Sequence, residues 1–147
     1  MNSLPPRAVI FKALDTIHKN RVRWLSNTSA EIDDVLVSFD HNNSISCSEC
    51  KDFLSYHAVA MLMMKNVLPF DGKLCSCMDG IELGVINGSM VVMEENVKKH
   101  LKSKGISDSY VDSYIDRIMR TLRESRRNGG LKTKEQDNCQ SLLFSFK

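Results

Sequence analysis

Two short stretches constrain this chain more than any others: "ISCSEC" at residues 45–50 and "LCSC" at residues 74–77. They hold four of the five cysteines, with 24 residues between Cys50 and Cys75. A fold in which both pairs meet must carry the first cysteine loop back onto the second. One ion shared by four thiolates would enforce that closure. Zinc takes a tetrahedron of soft sulfur ligands, and Cys47-Ser-Glu-Cys50 has the two-residue spacing of a metal knuckle. Cys75-Ser-Cys77 is tighter, and chelation there asks for a turn, which the nearby Asp79-Gly80 permits. The spacing therefore predicts a structural zinc site at Cys47, Cys50, Cys75 and Cys77. A variant replaces Cys75 or Cys77 by His57 or His41, since imidazole ligates zinc equally well. Simple packing of free thiols, with no metal, is the third reading. Disulfides are disfavoured by the odd cysteine count and by a reducing compartment.

The compartment follows from what the chain lacks. Its longest apolar run is "AVAMLMM", seven residues, where roughly 18–20 are needed to cross a bilayer. The start, "MNSLPPRAVIFKALD", has no smooth apolar stretch of the secretory kind. The residue after Met1 is not the glycine of a myristoylation signal, and the final "SFK" is not a peroxisomal address. A cytoplasmic or nuclear protein with no membrane partner is expected.

At 147 residues, with 42% apolar and 26% charged residues, the chain suits one globular domain. Residues 1–130 are expected to form it, and 131–147 to be a tail that is either an edge strand or flexible. The charges are uneven. Residues 1–97 hold 8 Lys/Arg against 12 Asp/Glu (net −4), and residues 98–134 hold 11 against 4 (net +7). A basic third on a mildly acidic body points to a local polyanion contact, or to a solvated helix face.

The periodicities predict an α+β fold: a small antiparallel sheet with a hairpin packed on helices. A first helix is expected from about Pro5 to Trp24, with Ser3 as cap and Ile10, Ala13, Leu14 and Ile17 inward. Lys12, Asp15, Lys19 and Arg23 are left for water. Val35, Val37 and Phe39 alternate as one strand face. Residues 53–67 read as an apolar central helix stopped by Pro69. Asn87-Gly88, inside "IELGVINGSMVVM", carries a type I′ hairpin signal. A C-terminal helical pair follows, split at Gly105 and recapped by Ser107. On its second helix Val111, Tyr114, Ile115, Ile118, Met119 and Leu122 share a stripe opposite Arg120, Arg123 and Arg127, with Arg117 at the border. Asp116, four before Arg120, would neutralise part of that ridge.

The segment "ISCSECKDFLSYHAVAMLMMKNVLPFDGKLCSC" resembles the zinc-binding segment of the small first-frame proteins of sobemoviruses. Cys47, Cys50, Ser55, Val59, Asn66, Pro69, Phe70, Asp71 and Cys75 carry the likeness, over about a fifth of the chain. That family suppresses RNA silencing in plants and supports systemic virus movement. The resemblance implies zinc ligands at Cys47, Cys50 and Cys75, and less directly at Cys77, where the family closes with C-x-x-C. A second His/Cys-rich site has no counterpart here, since only His100 and Cys139 remain.

The leading expectation is thus a non-enzymatic viral accessory protein acting in host cytoplasm or nucleus. Its partners would be host silencing machinery or small RNA, with a homo-oligomer as a further partner state. RNA would meet Lys98, Lys99, Lys102, Arg120, Arg123 and Arg127. The alternative is a cellular zinc-stabilised adaptor or nucleic-acid-binding module. No Gly-rich phosphate loop, G-x-S-x-G elbow or H-E-x-x-H helix is present, so no enzyme is expected, and Cys139 reads as a tail thiol.

Overall fold

The computed structural model describes residues 4–40, 44–81, 83, 90–127 and 132–133. Among them the elements run α1 (Arg7–His18), β1 (Val22–Trp24), β2 (Ser29–Ile32), β3 (Val35–Phe39) and β4 (Ser44–Cys47). There follow α2 (Tyr56–Met64), α3 (Gly72–Ser76), α4 (Met90–Ser103), α5 (Asp108–Arg127) and β5 (Lys132–Thr133). The fold is α+β. Strands β1 to β4 form an antiparallel meander, and the two residues of β5 add a parallel edge beside β4.

One sheet face is apolar because the strand period places Ala30, Ile32, Val37, Phe39, Ile45 and Cys47 together, all buried. Cross-strand register joins Ala30 to Val37 and Val37 to Cys47. Helix α2 covers this face and also packs on α1. Its Ala58, Val59, Ala60, Met61, Leu62 and Met63 are all buried, as expected of a helix apolar nearly all round.

Several boundaries differ from expectation, each for a local reason. Helix α1 ends at His18, because Asn20 adopts φ +56 and Arg21 N–H turns back to the Thr16 carbonyl. This left-handed cap releases the chain into β1, so Trp24 is a strand residue. Lys12 and Asp15 are buried, not solvated, since α1 packs against α2, α3 and α4 at once. Lys12 Nζ lies 5.5 Å from the Tyr56 ring centroid, and Asp15 Oδ2 accepts from Lys19 Nζ at 3.1 Å. Helix α2 is shorter than 53–67. Ser55 Oγ caps it by accepting Ala58 N–H at 3.3 Å, and Asn66 at φ +63 closes it.

Ser3 and the Asn87-Gly88 turn lie outside the described residues. Residues 90–93, read as the second hairpin strand, instead open α4. A two-residue hairpin with positive φ does occur, at Asp33 (φ +48) and Asp34 (φ +68), between the paired Ile32 and Val35. The C-terminal pair matches its reading: Gly105 sits at φ +87 after α4, and Ser107 Oγ accepts Tyr110 N–H at 3.1 Å. Val111, Tyr114, Ile115, Ile118 and Leu122 are buried.

An ion network fastens α4 and α5 to the start of α1. Arg7 donates to Glu94 at 2.7 Å and to Asp112, and stands 3.9 Å from Asp116. Lys98 adds 2.7 Å to Asp112 and 3.5 Å to Glu94. Asp116 therefore turns towards Arg7 rather than compensating Arg120. No helix among the described residues is long and apolar enough to cross a membrane.

Candidate functional site

Two regions hold the residues singled out in the sequence. The first is the thiol cluster at the join of β4 and α2. Cys47 ends β4 and Cys50 follows in the turn, where its N–H bonds the Cys47 carbonyl at 3.2 Å. Both thiols converge on one hydroxyl: Ser55 Oγ lies 3.4 Å from Cys47 Sγ and 3.7 Å from Cys50 Sγ. Ser55 N–H also donates to Cys50 Sγ at 3.4 Å. His57 Nδ1 reaches the same Oγ at 3.3 Å, and its ring is stacked on Tyr56 with centroids 3.9 Å apart. The mutual thiol hydrogen bond holds Cys50 below the ordinary thiol range and Cys47 well above it, with burial adding to the latter. Burial lowers the His57 pKa. The result is a polar knot of two thiols and an imidazole around a helix-capping serine.

The second cysteine pair is built differently. Cys75 lies within α3, a helix rather than the expected loop, and its Sγ donates to the Leu14 carbonyl at 3.5 Å. Burial, with Asp15 nearby, pushes its pKa up to about 11. Cys77 caps the C-terminus of α3 and is half-buried. Carbonyls Cys77 O and Asp79 O accept from His100 Nε2 at 3.0 and 2.9 Å, which puts the ring proton on Nε2. All four cysteines are free. Among the described residues, no three His, Cys, Asp or Glu side chains gather into a group able to hold a metal ion. Half of the expected donor set, Cys47 with Cys50, stands together; Cys75 faces α1 instead. His41 and Cys139 lie outside the described residues.

The second region is the outer side of α5. Lys98 and Lys102 belong to internal pairs, the latter 3.4 Å from Asp108. Lys99, Arg120 and Arg123 are exposed and make no ion pair among the described residues. Arg127 ends the helix. Arg117 is also exposed, with its guanidinium 5.7 Å from the Tyr114 ring centroid.

Residues 69–73 dock on the first turns of α5, at the border between its buried stripe and this exposed side, which sequence reasoning missed. Tyr114 Oη donates to the Pro69 carbonyl at 2.8 Å, and Tyr110 Oη donates to Asp71 Oδ2 at 2.8 Å. Asp71 Oδ1 caps α3 through Leu74 N–H at 3.0 Å. Lys73 Nζ lies 5.3 Å from the Tyr110 ring centroid. Phe70 and Tyr110 are 42% and 40% exposed, unusual for large rings that have a core available. The "FDG" triplet signals a cap; nothing local tells that it docks on α5.

The fold and these two regions define a small α+β protein with a thiol pair, one buried and one half-buried, and an exposed cationic helix. It belongs to the family described as "Uncharacterised conserved protein UCP014422", whose model matches residues 2–128. No curated protein and no solved structure matches the chain.

Proposed function

We propose that this chain is a non-enzymatic plant-virus accessory protein that suppresses RNA silencing and supports systemic spread by binding RNA along α5. One observation carries the RNA half of this reading. Arg117, Arg120 and Arg123 lie on the exposed side of α5, and Arg120 and Arg123 have no ion pair among the described residues, whereas Lys98 is held by Asp112 and Glu94 and Lys102 pairs with Asp108 at the surface. Guanidinium groups left to solvent bind phosphates by releasing condensed counterions. The viral half rests on the sobemovirus resemblance of residues 45–77.

Zinc belongs to the same proposal. Cys47 and Cys50 would hold it as a thiolate pair, with Cys75 and Cys77 as the remaining ligands that the spacing suggests. Bound zinc would supply structural closure, because a four-thiolate site has no open position for chemistry.

A silenced reporter in leaf tissue tests the function. Expression of the chain should restore the reporter, and Arg120→Gln/Arg123→Gln should restore it less. A reporter that stays silent, with the protein present and folded, contradicts the proposal and favours the cellular adaptor.

A further inference from the structure

Deepening the RNA reading above, on which it rests, we infer that Phe70 and Tyr110 form a stacking platform for unpaired bases at one end of the α5 cationic strip. The ligand is therefore single-stranded RNA rather than a duplex. Three observations converge. Both rings are about two-fifths exposed, while the core holds Phe11 and Tyr114 fully or almost fully buried. Tyr110 is fixed from two sides, by its hydroxyl on Asp71 and by Lys73 near its ring, so little freedom is lost when a base arrives. Phe70 adjoins Asp71 in sequence, and its ring lies 3.8 Å from where a Cβ on Gly72 would sit, which puts it beside the same turn.

Cations then continue along the helix. Arg117 follows Tyr110 by seven residues, two helical turns on the same side; Arg120 lies about 80° and Arg123 about 140° round the helix from Tyr110, so the cations wind away from the ring across the exposed face. From Tyr110 to Arg123 the helix rises about 20 Å. Asp71 and Glu124 are acidic neighbours, but the Asp71 carboxylate is occupied by Leu74 N–H and Tyr110 Oη. Two exposed rings beside Lys73 and Arg117, with further cations beyond, offer an unpaired strand what it needs: phosphates meet cations and bases have a face to stack on. Paired bases cannot stack on side chains, so a duplex gains only the charge contacts.

The test compares wild-type protein with three 20-nucleotide RNAs: a single strand, its duplex, and a strand with abasic positions that keeps every phosphate. Phe70→Leu and Tyr110→Leu are measured alongside, with circular dichroism to establish folding. The single strand should bind tightest, the abasic strand about tenfold weaker, and each leucine variant should weaken single-strand binding about fivefold or more while leaving duplex binding unchanged. Equal affinity for single strand and abasic strand, or a duplex bound at least as tightly, overturns the stacking platform alone. Absence of salt-dependent binding to every RNA overturns the RNA reading beneath it too.

Discussion

Tyr110 Oη donates to Asp71 Oδ2 at 2.8 Å, a bond that spans 39 residues of sequence. It joins the cap of α3 to the first turn of α5, because the other carboxylate oxygen of Asp71 accepts Leu74 N–H. Asp71 thus performs two tasks that separate by substitution. Asp71→Ala removes the cap and should cost about 1–2 kcal/mol, whereas Asp71→Asn keeps an acceptor for Leu74 and should recover most of it. Urea denaturation of the three proteins measures the difference.

The Asp33-Asp34 turn makes a second separable pair. Both residues sit at positive φ, but among the described residues only Asp33 has side-chain partners: it accepts from Tyr56 Oη at 2.5 Å and stands 3.7 Å from Arg21. Asp34→Gly relieves left-handed backbone and should leave stability unchanged or raise it by up to about 1 kcal/mol. Asp33→Gly relieves the same strain yet strands the buried-side Tyr56 hydroxyl, so it should lower stability by about 1–2 kcal/mol. Equal effects from the two glycines would contradict this division.

Around Arg7 the pH dependence has a definite sign. The Lys98 hydrogen bond, helped by Arg7, holds the Asp112 carboxyl below its ordinary value of 3.8. A carboxyl depressed in the folded state contributes stability that is present above that ordinary value and is lost as pH falls through the folded one. Arg7→Gln should therefore lower the melting temperature at pH 7 by a few degrees at low salt. The gap to wild type should narrow below pH 4 and in high salt, since these groups are partly exposed and screened. A gap independent of pH and salt would mean that Arg7 acts through packing.

Metal content tests the zinc proposal. Purified chain should carry about one zinc, and Cys50→Ser should lose both the metal and folded structure, given the roughly 10 kcal/mol that such sites supply to small zinc modules. A metal-free protein that is fully folded and takes up no zinc contradicts it. Thiol titration adds a geometric readout, since loading should protect Cys75 and Cys77 together with Cys47 and Cys50.

What could be read from the sequence was local. The alternation of Val35, Val37 and Phe39, the stripe from Val111 to Leu122, the Gly105 stop and the Ser107 cap each depend on neighbours a few residues away. What escaped depended on contacts across the fold. Lys12 and Asp15 look like solvent residues until α1 is surrounded by three helices. Asp116 looks like a partner for Arg120 until Arg7 arrives from the other end of the chain. The hairpin rule found Asn-Gly and passed over Asp33-Asp34, because Asp tolerates positive φ less readily and signals it less strongly. At the site, the Cys47–Cys50 convergence was legible in their spacing, and the exposed arginines in the helical wheel. Phe70 and Lys73 were not, since only the docking of residues 69–73 on α5 brings them there.

The most direct test of the account is the salt dependence of RNA binding. Affinity for a single-stranded RNA should fall linearly on a logarithmic plot against salt, and each α5 arginine replaced by glutamine should reduce the slope by about 0.7. Arg117→Gln, Arg120→Gln and Arg123→Gln should act nearly additively, and Lys98→Gln should leave the slope unchanged because Lys98 is engaged with Asp112 and Glu94. A slope indifferent to the three arginines, or binding that does not respond to salt, would contradict the central claim that α5 is the RNA-binding surface.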